Sequence, residues 1–347
     1  MPLKRLSGYV GIVIVVALIA LRVAGVSLIS ADDSLLSSFS TTLSIFSTRF
    51  LGIFIEAAPF LLLGTFTSGL IEAFVSREDI ARLIPRNPIA ATVFGAFMGI
   101  VFPVCECGVV PVARRLFTKG LPMSAGVTFL LAAPVMNPVV LVSTYIAFGF
   151  GTILIGRFVI TAVVAIAVGL IFALNANPIE VLRPTSLAPA MGGSGLINGG
   201  NLIKPKRRPL GEGLGAAIQL AADEFFEMGR YLIIGSLLAA AMQTLVSEES
   251  LRQLGTGPVQ SVIVMQALAF LLSVCSTVDA FLALAFAGTF TTGSILAFLT
   301  FGPMVDIKST LMFLGVFRRR TVVYLIVLPL LMTMLIGIWT NLNLSFR

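Results

Sequence analysis

Long apolar runs separated by short polar connections fill most of this 347-residue chain. Several runs reach about 20 residues, the length that an α-helix needs to cross the hydrocarbon core of a bilayer. Only 11% of the residues are charged, whereas a soluble domain carries about 25%. The sequence therefore predicts an all-α integral membrane protein and excludes a water-soluble enzyme. The predicted spans are Tyr9–Ser30, Phe50–Phe74, Pro88–Phe102, Val109–Ala113, Leu121–Phe148, Thr152–Leu174, Glu224–Val246, Pro258–Val274, Val278–Phe290, Ser294–Phe317 and Thr321–Trp339.

Basic residues are distributed unevenly between the two sides of these spans. With Lys4 and Arg5 placed in the cytoplasm, sixteen of the 23 lysine and arginine residues fall on the cytoplasmic side. Arg49, Arg252 and Arg347 fall outside. Because Lys and Arg accumulate in the cytoplasmic loops of membrane proteins, we expect a multi-pass protein with a cytoplasmic N-terminus and an external C-terminus.

Two segments are set apart by their composition. Residues 1–31 predict an N-terminal anchor span rather than a cleaved signal peptide, because Arg22 interrupts the apolar run. Residues 175–221 are rich in Gly, Pro and Ser and predict a flexible cytoplasmic linker. We interpret the basic run Lys204–Arg208 as an orientation signal near anionic lipid headgroups, and no nucleic-acid partner is expected.

The membrane regions on the two sides of the linker, residues 50–174 and 222–341, resemble each other. Each has a span with an early Glu, a hairpin broken at Cys, a span broken at a Pro motif and a final span. Since the first region starts outside and the second inside, the sequence predicts two inverted-topology repeats, an arrangement common in secondary transporters. The matching segments are Phe54–Gly64 with Phe225–Gly235, Pro103–Cys107 with Ser273–Thr277, and Pro134–Pro138 with Pro303–Ile307, at offsets of 171, 170 and 169.

Both hairpins are interrupted next to cysteine. We predict that they are re-entrant, with tips at Cys105–Gly108 and Cys275–Thr277 that face one cavity near the membrane centre. Thiolates select soft, thiophilic species, although a buried cysteine can instead act as a small hydrophobic residue. Asn137, which precedes Pro138, either mends a helix break or contacts the substrate. The candidate substrate-binding residues are Cys105, Cys107, Cys275, Asn137, Ser276 and Thr277.

The sequence predicts neither a metal site nor a cofactor. Histidine is absent, and a Cys-x-Cys pair is not the signature of structural zinc. No Walker motif is present, so the chain carries no ATPase of its own.

Acidic residues within apolar stretches are the second functional signal. A charged side chain near the bilayer centre costs roughly 2.5–3.5 kcal/mol on insertion scales, and such groups mark ion or proton pathways. Glu56 and Glu227 lie early in their spans and fit either this role or helix packing. The predicted ion-coupling residues are Glu106, Asp279, Asp306 and Lys308.

At these motifs the chain resembles the predicted-permease family of the YraQ type, which includes the ArsP organoarsenical efflux permeases. The resemblance rests on PVCECGVVPVARRL at Pro103–Leu116, KGLP at Lys119–Pro122, FLLAAPVMNPVVL at Phe129–Leu141, and SVCSTVDAF and FGPMVDIKSTLMF in the second half. It covers the chain from about Phe50 to about Trp339. It implies a permease of the bacterial inner membrane and, for the ArsP branch, export of trivalent organoarsenicals bound by Cys105, Cys107 and Cys275.

The leading hypothesis is a secondary transporter, not an enzyme, that exports a small thiophilic solute in exchange for protons. One alternative is a permease for another small solute, such as a sulfur-containing anion. Another is a membrane thiol-redox protein whose Cys105 and Cys107 cycle between dithiol and disulfide, and a passive channel is a third. The oligomeric state is left open.

Overall fold

A computed structural model describes residues 33–85, 87–102, 104–175, 210–245 and 257–343. The regular elements in these ranges are thirteen α-helices. In the first half they are α1 (Asp33–Phe74), α2 (Arg77–Leu83), α3 (Pro88–Val101), α4 (Glu106–Thr118), α5 (Met123–Met136), α6 (Pro138–Phe148) and α7 (Thr152–Asn175). In the second half they are α8 (Leu210–Leu245), α9 (Gln260–Leu272), α10 (Asp279–Phe286), α11 (Thr292–Met304), α12 (Ile307–Val316) and α13 (Arg319–Asn343).

Contacts divide the chain into residues 1–46 and residues 47–347. The described part of the first unit is the beginning of α1. The other described residues belong to the second unit. The predicted anchor span at residues 1–31, most of the predicted linker and the C-terminal residues 344–347, which are predicted to be external, lie outside the described residues. Helix α8 begins at Leu210, ahead of the predicted linker boundary at residue 221.

Six helical segments of the described chain are long and apolar enough to cross a membrane. The predicted class, an all-helical multi-pass membrane protein, is therefore confirmed. Two of the segments are broken helices, α5 with α6 and α11 with α12. They are 78% and 89% buried, against 28% to 44% for the other four. The broken helices are therefore more buried than the continuous ones.

Both central breaks follow from the Pro motifs. Asn137 has an extended backbone between α5 and α6, and Pro138 occupies the first position of α6, where its missing N–H costs no helical hydrogen bond. Asp306 has the same place between α11 and α12 and is also extended. The structure interrupts both spans where the sequence predicted it.

The two cysteine-containing hairpins are short-helix pairs. Helices α3 and α4 have 14 and 13 residues, or about 20 Å each at a rise of 1.5 Å per residue. Helices α9 and α10 have 13 and 8 residues, and the chain leaves α9 through Ser273 in the left-handed region, with φ 47°. None of these four helices alone reaches the length of a full crossing.

The order of elements is the same in the two halves apart from α2, whose counterpart would fall outside the described residues. Contacts correspond as well: α3 and α7 pack on α5, and α9 and α13 pack on α11. Among the contacts that cross between the halves, α4 packs against α12 and α10 packs against α6. Each hairpin therefore rests on the broken span of the other half.

Candidate functional site

The three cysteines meet where the two hairpins are interrupted. Cys105 is the residue before α4, Cys107 lies in the first turn of α4, and Cys275 lies in the break before α10. They are 3%, 0% and 2% exposed. The thiol of Cys105 lies close enough to those of Cys107 and Cys275 for the side chains to interact. The structure thus brings together all three predicted thiols, from both halves of the chain.

Cys105 and Cys275 have equivalent backbone environments. The carbonyl of Cys105 accepts hydrogen bonds from the amides of Gly108 and Val109, at 3.1 and 2.9 Å. The carbonyl of Cys275 accepts from Val278 and Asp279, at 3.0 and 3.1 Å. Cys105 therefore directly precedes α4, and Cys275 begins the turn that leads into α10. The positive ends of the helix dipoles of α4 and α10 favour negative charge at this point.

Polar side chains surround Cys275. The Thr277 hydroxyl donates to the Cys275 sulfur at 3.4 Å. The half-buried Glu56 side chain, from α1, lies close enough to interact with the same thiol. Ser276 is fully buried and its Oγ has no hydrogen-bond partner among the described residues. Glu56, for which the sequence left two roles open, therefore belongs to the thiol site.

Two carboxylates share one buried ammonium beside the thiols. Lys308 Nζ lies 3.6 Å from Glu106 Oε1 and 3.6 Å from Asp306 Oδ2. All three residues are at most 2% exposed. Glu106 Oε2 and Asp306 Oδ2 have no hydrogen-bond partner within the described ranges. One ammonium balances one carboxylate, so this group has room for one further positive charge.

Asn137 closes the central break of the first half. Its Oδ1 accepts from the amide of Val140 at 3.0 Å, and its Nδ2 donates to the carbonyls of Ala133 and Val104 at 3.2 and 3.4 Å. The amide supplies the partners that a Pro-interrupted helix lacks. Because Val104 precedes Cys105, Asn137 also ties the first hairpin to the broken span.

Asp279 has a different position from the other predicted coupling residues. Its carboxylate accepts two hydrogen bonds from the Arg157 guanidinium, at 3.0 and 2.6 Å. Its described ion-pair partner is therefore Arg157 on α7, rather than Lys308. Only the backbone of Asp279 touches the thiol site, through Cys275. No role for Arg157 is predicted from the sequence, although a lone cation in an apolar run requires a buried partner.

A second ion-pair network, which the sequence analysis missed, joins α1, α4 and α8. Arg114 contacts Glu227 at 2.8 Å, Arg115 contacts Glu224 at 3.8 Å, and Ser68 donates to Glu224 at 2.5 Å. Glu227, for which the sequence left two roles open, is thus the ion-pair partner of Arg114.

The network continues at the end of α4. Glu72 lies 3.6 Å from Arg115 and 3.4 Å from Lys119. Burial lowers the pKa of Lys119, and the neighbouring Glu72 carboxylate opposes this shift. Ion pairs therefore hold the C-terminal end of α4, while its N-terminal end carries the thiols of Cys105 and Cys107.

In the part of the chain that the structure describes, no group of three or more Cys, Asp or Glu side chains is arranged to hold a metal ion. The thiols form two contacts that share Cys105. This arrangement suits a ligand that bridges two sulfur atoms.

Comparison with known proteins gives the family. Residues 42–342 match the ArsP_1 family model, described as a predicted permease. The UPF0718 protein YcgR of Bacillus subtilis is 46% identical over 278 residues, which are 80% of this chain and 90% of that protein. A Streptococcus mutans protein named "putative two-component membrane permease complex subunit" is 36% identical over 276 residues, which are 78% of this chain and 86% of that protein. No solved structure matches the chain significantly. On the extent of the family match and the identity to these relatives, the chain belongs to the ArsP_1 family of predicted permeases.

Proposed function

We propose that this permease is a secondary transporter of the bacterial inner membrane that exports a small thiophilic solute, such as a trivalent organoarsenical. The observation that carries the proposal is the contact of the buried Cys105 thiol with both Cys107 and Cys275. Soft thiol ligands prefer soft partners, and two hairpins contribute them from opposite halves of the chain. A solute bound here would contact both halves at once.

Binding to the thiols needs no oxidant. A trivalent methylarsenical carries two exchangeable hydroxyl groups. Each thiol sulfur forms a bond to arsenic while one hydroxyl leaves, and the thiol proton leaves with it as water. The Cys105 and Cys275 pair can make both bonds, since their side chains lie close enough to interact.

The proposed topology is two inverted repeats with re-entrant hairpins. It is supported by the matching element order and by the crossed contacts of α4 with α12 and of α10 with α6. Short helices that end in the protein interior are tolerated where protein or a water-filled cavity surrounds them. The excess of basic residues on one side favours a cytoplasmic N-terminus and an external C-terminus.

Proton coupling is proposed to use Glu106 and Asp306. These two carboxylates face the single ammonium of Lys308, and each keeps one oxygen without a hydrogen bond among the described residues. A proton would neutralise the excess negative charge. Asp279 is paired with Arg157 instead of Lys308, and its role in ion coupling stays a prediction.

The test is uptake of a trivalent methylarsenical into everted membrane vesicles, with and without an imposed proton gradient. We expect gradient-dependent accumulation by the unmodified protein. Cys105→Ser, Cys107→Ser and Cys275→Ser should each reduce it strongly at equal membrane abundance, since Ser is nearly isosteric with Cys but a poor soft ligand. Normal accumulation by all three variants would remove the thiol mechanism. Turnover of a disulfide substrate without accumulation would favour the thiol-redox alternative.

A sulfur-containing anion is the second candidate solute. It is favoured by the beginnings of α4 and α10 at the thiols, since helix N-termini bind anions. Thiosulfate can be used as the probe in the same vesicles. Accumulation of thiosulfate that survives all three Cys→Ser substitutions would support anion binding without thiol ligation.

A second membrane subunit is the proposed partner, because the Streptococcus mutans relative is named as a complex subunit. Purification in mild detergent after crosslinking would test this. A stable assembly with a second polypeptide is expected, and a particle that contains only copies of this chain would contradict it.

A further inference from the structure

Arg157 is a fully buried cation in the apolar helix α7, with 0% of its surface exposed. Its NH1 atom donates to Asp279 Oδ1 at 3.0 Å and to the Thr144 hydroxyl at 2.8 Å. Its NH2 atom donates to Asp279 Oδ2 at 2.6 Å. The guanidinium therefore holds the carboxylate with two parallel hydrogen bonds, a geometry that fixes orientation as well as distance.

The carboxylate that Arg157 holds belongs to the segment that carries Cys275. Asp279 is the first residue of α10, and its amide donates to the Cys275 carbonyl at 3.1 Å. Three residues lie between Asp279 and Cys275, and the hydrogen bond from the Asp279 amide to the Cys275 carbonyl spans them. A change in the Arg157 contact would therefore move the Cys275 backbone.

The other side of the contact belongs to the first half of the chain. Helix α7 packs on α5, and Thr144 lies on α6, beyond the break at Asn137. The same broken span is tied to the Cys105 hairpin through the bond from Asn137 to Val104. The break that carries Cys105 is thus linked to the broken span of α5 and α6 through Asn137. The break that carries Cys275 is linked to the same span through Arg157.

Stability alone does not account for a buried ion pair at this place. Replacing such a pair by apolar side chains of similar volume is often neutral or stabilising, whereas removing one partner leaves a costly unpaired charge. Arginine differs from lysine in its rigid fork of donors, which matches a carboxylate at two points. The bidentate contact supplies a fixed register between α7 and α10.

We propose that Arg157 is a positioning residue that acts through Asp279 to hold Cys275 in register with Cys105, and thereby sets the spacing of the two sulfur atoms that a bridging solute must span. The proposal rests on the proposed function of the thiols, but the geometry can be measured without any transported solute. It assigns Asp279 a role in alignment.

The experiment measures how fast Cys105 and Cys275 form a disulfide in membranes. Cys107→Ser leaves these two as the chain's remaining cysteines, and a protease site inserted between α7 and α8 makes a disulfide visible as two fragments that stay joined. Copper phenanthroline with dioxygen is the oxidant. In this background the chain should crosslink rapidly. Arg157→Met should slow crosslinking about 10-fold or more, because ångström displacements of reacting groups cost this much or more in rate.

Matched variants separate positioning from general damage. Arg157→Lys keeps the charge but loses the fork, so we expect its crosslinking rate to lie between the rate of the Cys107→Ser background and that of Arg157→Met. Thr161→Val, one turn further along α7, removes a buried hydroxyl that bonds the Arg157 carbonyl, and it should crosslink normally. If Arg157→Met alone fails to accumulate, the double change Arg157→Met with Asp279→Met removes both charges, and it should fold but still crosslink slowly.

Crosslinking at the unmodified rate in the double variant, or in a well-folded Arg157→Met variant, would overturn the proposal. The proposed transport function fails separately. In that case vesicles with intact cysteines accumulate no thiophilic solute, while the dependence of crosslinking on Arg157 persists.

Discussion

Gly64 on α1 lies directly against Gly108 on α4, one residue from Cys107. A Cβ atom built on Gly64 would approach the Gly108 Cα to 2.4 Å. A Cβ on Gly108 would lie 2.9 Å from the carbonyl oxygen of Phe60. Small residues let membrane helices approach backbone to backbone, and here such a close approach of α1 and α4 lies next to Cys107.

We predict that Gly64→Ala displaces α4 and disturbs the thiols. The added methyl group meets backbone atoms, which cannot rotate away, so it should cost about 1–3 kcal/mol. The measurement is the melting temperature in detergent, together with the rate at which Cys105 and Cys107 react with a small maleimide. The matched control is Gly52→Ala on the same helix, where nothing lies within 4 Å. Equal behaviour of the two variants would contradict the close contact.

Removing the shared ammonium should be more harmful than removing it together with one of its acids. Lys308→Met leaves Glu106 and Asp306 buried without a cation, and breaking a buried pair in this way typically costs about 3–5 kcal/mol. Lys308→Met combined with Glu106→Gln should recover part of that loss. Thermal unfolding of the purified variants checks this order, and a double variant less stable than Lys308→Met would count against the shared pairing.

Neutral substitutions of Glu106 or Asp306 should uncouple transport from the proton gradient, while the solute can still cross the membrane. Glu106→Gln and Asp306→Asn retain the shape of each side chain but can no longer bind and release a proton. We expect each variant to exchange labelled for unlabelled solute across the membrane, while an imposed proton gradient no longer drives accumulation. Gradient-driven accumulation at the normal level in both variants would show that coupling lies elsewhere.

The orientation is expected to place Arg207 and Arg320 in the cytoplasm and Glu248 and Arg347 outside. Single cysteines introduced at these positions in a Cys105, Cys107 and Cys275→Ser background can be labelled in intact cells by a reagent that does not cross the membrane. Labelling is expected at positions 248 and 347 alone. Labelling at position 320 from outside would reverse the second half and remove the inverted-repeat proposal.

The spans and their breaks follow from local sequence. Apolar length predicts the crossings, and the prolines beside Asn137 and before Asp306 predict the interruptions, because proline cannot continue the helical hydrogen bonds that precede it. The meeting of the thiols followed from the internal repeat: if both hairpins break at the same position, their tips can face one another. The spans and their breaks can thus be predicted from short segments of sequence, and the meeting of the thiols from the repetition of such segments.

Ion pairs and packing contacts between helices that are distant in the sequence could not be predicted from local patterns or from the repeat. Arg157 and Asp279 are separated by 122 positions, and neither position has a matching charge in the other half of the chain. Glu224 is likewise recognisable as a buried acid only once Ser68 and Arg115 are seen beside it. The early start of α8 has the same origin, since Ala217 packs against Gly69 of α1, where a Cβ would lie 2.4 Å from the Ala217 carbonyl oxygen. Tertiary packing there overrides the weak local helix signal of a Gly-rich segment.

The crossed arrangement of the halves has a consequence for biosynthesis. Glu106 leaves the ribosome about two hundred residues before Lys308, the cation that balances it. Until α12 is made, the half-synthesised protein carries an uncompensated carboxyl group in an apolar hairpin, which bilayer insertion disfavours. The first hairpin should therefore complete its insertion late, after the second half has been delivered to the membrane, and the thiol site would be among the last parts of the molecule to assemble.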